Sequence, residues 1–220
     1  MKLLLSFVAV AAIGSMAFTS CQSGSGAPST FCDTAACKSD TIRYTGGNAL
    51  HSYLFISMNG CNPDSISWGH DQMPESRTVK LSELADKDVK INPAFIRGFV
   101  NDTSYTWVLF NDCINGQGFA FKIPFAKGVP VFRKNSAINS LDPKYAVDES
   151  LVAHTDRGNI FVIDMKTGKE AMMTFGKRTE LDYNKMHDVI DSVNITPAKI
   201  WAKVKIDGEW KELSKDIELK

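Results

Sequence analysis

The chain has 220 residues, of which 44% are hydrophobic and 23% are charged, with 25 basic and 25 acidic side chains. This length suffices for one well-buried domain or two small ones. Because the charges balance, no long-range positive field exists to recruit nucleic acid or acidic lipid, and we expect no nucleic-acid partner.

The first twenty residues have the layout of a secretory signal. Lys2 precedes an apolar stretch from Leu3 to Phe18, and the small residues Thr19 and Ser20 follow. The stretch is shorter than the roughly 20 apolar residues that a spanning helix requires. We therefore predict that residues 1–20 are a cleaved signal peptide.

Cys21 comes directly after Phe18-Thr19-Ser20. This arrangement resembles the lipobox of bacterial lipoproteins, although Phe18 stands where most lipoboxes have Leu. The resemblance implies that Cys21 carries fatty acyl chains such as palmitate and that the lipid bilayer is a partner. Because Gln22 follows and no acidic cluster does, it implies anchoring in the outer membrane with the domain facing the periplasm. The alternative is ordinary secretory cleavage, which would leave Cys21 as a spare thiol.

Residues 21–40 begin with a Gly- and Ser-rich segment typical of a flexible tether. Once Cys21 is acylated, four cysteines remain for an oxidising compartment: Cys32, Cys37, Cys61 and Cys113. Four cysteines allow three pairings, and the sequence does not choose among them. We favour Cys32 with Cys37 and Cys61 with Cys113. A four-thiolate zinc site is the weaker alternative, because the paired C-x-x-C spacing is missing.

From residue 41 to residue 220 the pattern predicts one mainly β globular domain. Thr41 to Thr45 and Ala49 to Met58 form a predicted hairpin, and the next short strands are expected near Ile66, over Thr78 to Leu81 and over Val89 to Ile91. The clearest strand pair is Tyr105 to Asn111 with Phe119 to Phe125. In its second arm, alternate aromatic and aliphatic residues require one buried face.

The segment Ser136 to Glu149 is polar and turn-prone, and we predict a possible subdivision of the domain near residues 136–149. Three strands follow, over Leu151 to Thr155, Ile160 to Asp164 and Glu170 to Phe175. This meander resembles one blade of a β-propeller, but a propeller needs at least four blades and no second copy is present. A single meander is therefore the better prediction.

Near the C-terminus, Asp182 to Val193 is predicted to be a helix, because its apolar residues form one stripe. The last element is a predicted hairpin, Lys199 to Ile206 with Glu209 to Leu213. Asp207-Gly208 favours a type I′ turn between them. That turn places Lys205 opposite Trp210.

Two pairs of residues are candidates for catalysis or metal binding. His70 and Asp71 are adjacent in a loop, and His154 and Asp156 alternate along a strand end, which places both on one side. Adjacent residues seldom point the same way, and the second pair has no third ligand nearby. Common local signatures of hydrolases are missing, so we predict no catalytic residue, no metal site and no cofactor.

Four Asp-(Ser/Thr)-apolar triplets occur, where composition would give about one. They resemble the acceptor of a bacterial O-glycosylation system for exported proteins. The resemblance implies Thr34, Thr41 and Ser65 as candidate sites.

The sequence thus predicts a mainly β fold of antiparallel strands and hairpins, in a sandwich-like or meander sheet, with one helix near the C-terminus. The predicted function is a non-catalytic binding or structural role in the envelope, with an envelope protein or a glycan as partner. An exposed apolar or aromatic patch is then expected. The alternative is a periplasmic hydrolase or metal-dependent enzyme, whose site assembles around His154 and Asp156 or around His70 and Asp71.

Overall fold

The computed structural model describes residues 40–101 and 104–220. In chain order, its strands are β1 (Ile42–Thr45), β2 (Tyr53–Asn59), β3 (Asn62–Gly69), β4 (Arg77–Lys80), β5 (Ile96–Asn101), β6 (Tyr105–Asn111), β7 (Gly118–Pro124), β8 (Phe132–Ile138), β9 (Tyr145–Val147), β10 (Leu151–Asp156), β11 (Asn159–Asp164), β12 (Glu170–Thr174), β13 (Ile190–Thr196), β14 (Lys199–Ile206) and β15 (Glu209–Asp216). The helical segments described are the α-helix α1 (Leu81–Ala85) and two 3-10 helices, Pro93–Phe95 and Tyr183–Asp188. The mainly β prediction is confirmed.

The strands form three sheets. The first has the order β1-β2-β3-β4, and the second has the order β12-β11-β10-β8-β7-β6-β5. The third has the order β15-β14-β13-β9, in which β9 and β13 pair in parallel. In the seven-stranded sheet, β8 pairs with both β7 and β10, so this sheet is continuous from β5 to β12.

The two small sheets pack on the same face of the seven-stranded sheet. Its half from β5 to β7 shares one apolar cluster with β2, β3 and α1. Its half from β8 to β12 shares another cluster with β9, β13 and β14. Successive residues of a strand point to opposite faces, and a third, smaller cluster around Trp107, Leu109 and Ala120 lies on the opposite face. We call this opposite face the open face.

Strand β7 is buried along most of its length and points its large apolar residues to one face. Phe119, Phe121 and Ile123 are fully buried in the first cluster, as the sequence predicts. Gly118, at the start of β7, has a separate role. A Cβ atom there would lie 2.2 Å from the Ala137 carbonyl oxygen, so only glycine permits β7 and β8 to pair this closely.

The C-terminal hairpin forms as predicted. Asp207 and Gly208 have φ angles of 56° and 83°, as a type I′ turn requires. Lys205 lies opposite Trp210. β15 extends to Asp216, three residues beyond the predicted end at Leu213.

Two predicted elements differ from the structure. The helix expected over Asp182 to Val193 exists only as the 3-10 helix Tyr183–Asp188, and the chain enters β13 at Ile190. The apolar residues Ile190 and Val193 lie in a strand instead, and they pack into the second cluster beside β14. The strand expected over Val89 to Ile91 is wrong, since this segment lies outside any helix or strand. Ile91 is nevertheless buried.

Candidate functional site

The outer face of the third sheet carries two tryptophans. Residues that lie directly opposite each other in paired strands share a face. Trp201 is opposite Asn194 on one side and Ser214 on the other, and Trp210 is opposite Lys205. Lys205 lies four positions after Trp201 in β14, so the two side chains share a face, and both tryptophans lie on it. We call this surface the tryptophan face.

The rings are accessible on the tryptophan face. Trp210 is 43% exposed and Trp201 is half-buried. The two residues are about 13 Å apart along the strands, because a strand rises about 3.3 Å per residue. Exposed aromatic rings that lie together on one face can mark a ligand-binding surface. The spacing suits an extended ligand that touches both rings.

A shallow groove of about 460 Å³ lies beside Trp201 and is lined by Asn194, Thr196 and Lys199. All three are exposed and offer amide, hydroxyl and ammonium groups next to the ring. Small-molecule sites combine an aromatic surface with a few polar groups that fix orientation.

Charges of both signs flank the tryptophan face. Lys203 forms an ion pair of 3.4 Å with Asp191, and the ammonium of Lys205 lies 5.7 Å from the ring centroid of Trp210. Lys203 is also directly opposite Glu212. The face therefore favours a ligand without net charge.

In neither predicted pair does the structure join the histidine to the aspartate. Asp71 accepts a hydrogen bond of 2.7 Å from His51, whereas His70 accepts one from the backbone N–H of Gln72. His154 is buried, and its Nδ1 has no hydrogen-bond partner among the described residues.

Asp156 is half-buried at the strand end, and its ion pair is with Arg157. Neither predicted pair is joined by a hydrogen bond or ion pair in the described part of the chain. Within residues 40–101 and 104–220, no three His, Cys, Asp or Glu side chains cluster closely enough to hold a metal ion.

His154 lies among aromatic rings. It stacks on Phe161 at 5.1 Å and meets the edge of Phe132 at 6.1 Å. Burial, together with the nearby charge of Lys134, lowers the pKa of His154 from 6.5 to about 3. The imidazole is therefore neutral at physiological pH.

A histidine and aspartate pair that the sequence patterns missed joins the turn after β8 to the 3-10 helix Tyr183–Asp188, and its histidine is half-buried. His187 Nε2 is 2.5 Å from a carboxylate oxygen of Asp142, which is 1% exposed. The ring of Tyr145 meets His187 edge-on, and burial and then the Asp142 and Asp191 charges raise the pKa of Tyr145. Because 45 residues separate Asp142 from His187, no local pattern reveals the pair. It ties this short helix to the sheet.

The predicted modification sites are distributed over the chain. Cys21, Cys32, Cys37 and Thr34 lie outside the described residues, so lipidation and the cysteine pairing stay predictions. Cys61 is exposed in the turn between β2 and β3, and Cys113 is buried after β6. Thr41 directly precedes β1, and Ser65 lies in β3, both half-buried. No helix in the described part of the chain is both long and apolar enough to cross a membrane.

The chain matches no family model, and comparison with curated proteins and with solved structures likewise finds no match.

Proposed function

We propose that this chain is an envelope lipoprotein, anchored in the outer membrane through acylated Cys21 and facing the periplasm. Its β domain binds a glycan without catalysing a reaction. The observation that carries the binding role is the pair of accessible rings, Trp201 and Trp210, on one face of the third sheet. The signal pattern that ends at Cys21 supports the anchor.

The chemistry of the tryptophan face favours a glycan over a protein partner. Indole rings present a flat apolar surface with a negatively polarised π-face, which suits the C–H groups of a sugar ring. Asn194, Thr196 and Ser214 supply hydrogen-bonding groups on the same face. A protein interface core has its aromatic residues surrounded by further apolar contacts, whereas polar side chains surround these rings. An extended neutral glycan is therefore the occupant we propose.

Replacing Trp201 or Trp210 with alanine is expected to weaken glycan binding by about 1–2 kcal/mol each, roughly five- to thirtyfold. The loss follows from the stacking surface that each ring supplies. Isothermal titration of the purified chain with the hexasaccharides of N-acetylglucosamine and of glucose measures the effect. Ile114→Ala is the matched control, because Ile114 is 75% exposed outside the third sheet.

Two outcomes would contradict the glycan proposal. One is unchanged affinity in both tryptophan variants. The other is no binding of either hexasaccharide together with a stoichiometric envelope protein captured by cross-linking in intact cells. The second result would instead identify a subunit or scaffold.

Cys21→Ala is expected to move the chain from the membrane fraction to the soluble fraction, because the acyl chains have no other attachment residue. Fractionation of cells that express a C-terminally tagged chain measures this. Ser25→Ala, in the tether, is the control, since it leaves Cys21 in place and is expected to keep the chain in the membrane fraction. Membrane retention of the Cys21→Ala chain would refute the anchor and leave the glycan site untouched.

A further inference from the structure

The open face of the seven-stranded sheet carries a row of aromatic side chains. Trp107 meets the edge of Phe132 at 5.9 Å, and Phe132 in turn meets His154. Tyr105 lies two residues before Trp107 in β6 and therefore shares its face. The row runs from β6 across β7 to β8 and β10, and Phe161, which stacks on His154, extends it to β11. The two small sheets pack on the opposite face. Within the row, Trp107 and His154 are buried, whereas Tyr105 and Phe132 are half-buried.

Two lysines lie over these rings. The Lys122 ammonium is 4.0 Å from the ring centroid of Tyr105 and 6.0 Å from that of Trp107, and the Lys134 ammonium is 5.1 Å from that of Phe132. Both lysines are half-buried, and in the described part of the chain neither forms an ion pair with a carboxylate. Ring faces attract these cations, but a full negative charge is the stronger complement to a partly desolvated ammonium.

A groove of about 330 Å³ opens beside Lys122. Its lining combines Tyr105, Phe132 and Val129 with the hydroxyl of Ser104. Val129 is 52% exposed, and Gly128 beside it has a φ of 82°, which turns the loop between β7 and β8 at this point. Trp107 lies under Lys122, and its buried Nε1 has no hydrogen-bond partner among the described residues. The volume is in the lower part of the range of small-molecule sites.

We propose that this groove binds an acidic sugar, with the ligand carboxylate on the Lys122 ammonium and the sugar ring against Phe132 and Val129. The site is separate from the tryptophan face and takes a different ligand class, so it goes beyond the proposed function. The cation, the flat apolar wall and the hydroxyl of Ser104 match the carboxylate, the C–H face and the hydroxyl groups of such a sugar. Among the residues that the structure describes, no acidic side chain lines the groove to repel it.

The test compares two ligands that differ in their carboxylates, trigalacturonate and the neutral galactose trisaccharide. Isothermal titration with the full chain is expected to detect trigalacturonate and to give at least tenfold weaker binding of the neutral trisaccharide. Lys122→Met keeps most of the aliphatic stem over the rings and removes the charge, and it is expected to weaken trigalacturonate binding at least tenfold. The affinity of the unmodified chain should fall as salt rises.

Lys205→Met is the matched control, because Lys205 also lies over an aromatic ring, but in the third sheet. It is expected to leave trigalacturonate binding unchanged, as is Trp210→Ala. Equal binding of the two trisaccharides, unchanged binding by the Lys122→Met chain, or no binding of trigalacturonate would each overturn the proposal. None of these results bears on the hexasaccharide measurement, so this site and the tryptophan face succeed or fail separately.

Discussion

Phe119→Ala is expected to lower the free energy of unfolding by about 3–5 kcal/mol, the range for a buried phenylalanine that leaves a cavity. Phe119 is fully buried and stacks on Phe110, with ring centroids 4.9 Å apart and an interplanar angle of 16°. Phe121 packs against both rings. The three rings join the seven-stranded sheet to the first sheet, so the cavity would open between two sheets. Urea unfolding followed by far-ultraviolet circular dichroism measures the loss.

The control for this prediction is Ile114→Ala, in the loop that connects β6 to β7. Ile114 is 75% exposed, and a surface substitution of this kind usually changes stability by less than about 0.5 kcal/mol. A small loss in the Phe119→Ala chain, comparable to that of the control, would mean that the cluster collapses to fill the space. The side chains at the interface between the two sheets would then be able to rearrange and would not be closely packed.

The sequence predicts well the elements that depend on residues close together in the chain. Strand β6 follows from its aromatic and β-branched residues, and β7 follows from the alternation of large apolar residues with others. The last hairpin follows from Asp207-Gly208 and the strand patterns beside it. Strand ends shift by a few residues, because pairing partners and not propensity decide where a strand stops.

The sequence does not predict the elements that depend on contacts between distant parts of the chain. Ile190 and Val193 have a spacing that fits a helix, yet they lie in β13, because the sheet offers β14 on one side and β9 on the other. Strand β5 gives little alternation and is stabilised by its pairing with β6. These contacts join residues that the chain pattern alone cannot place beside each other.

The same distinction applies to the candidate sites. The sequence correctly places Lys205 opposite Trp210, but which face of that hairpin meets solvent depends on how the third sheet packs. Sequence spacing also correctly puts His154 and Asp156 on one side of β10, yet it contains no information on the rings that cover His154. Burial determines whether a histidine can exchange protons with water or is enclosed among aromatic rings.

The neutral state of His154 has a consequence for stability in acid. The pKa of His154 is about 3 in the folded chain and near 6.5 when the chain unfolds. Between pH 3 and pH 6.5, the unfolded chain binds one more proton at His154 than the folded chain does. The stabilisation that neutral His154 contributes is therefore complete above pH 6.5 and is lost as the pH falls towards 3. Each pH unit in that window costs up to about 1.4 kcal/mol. Roughly 2–3 kcal/mol is therefore lost by about pH 4.5.

His154→Leu is expected to remove this part of the acid dependence, because leucine fills a similar volume and binds no proton. Denaturant unfolding between about pH 3.5 and 7.5 should then give a flatter stability curve than that of the unmodified chain. Ile114→Ala, at an exposed side chain that binds no proton, serves as the control and should keep the original slope. Parallel curves for the unmodified and His154→Leu chains would show that the ring is protonated without unfolding. Water or a neighbouring group must then reach the Nδ1 of His154. The aromatic rings around His154 would in that case pack less tightly than their contact distances imply.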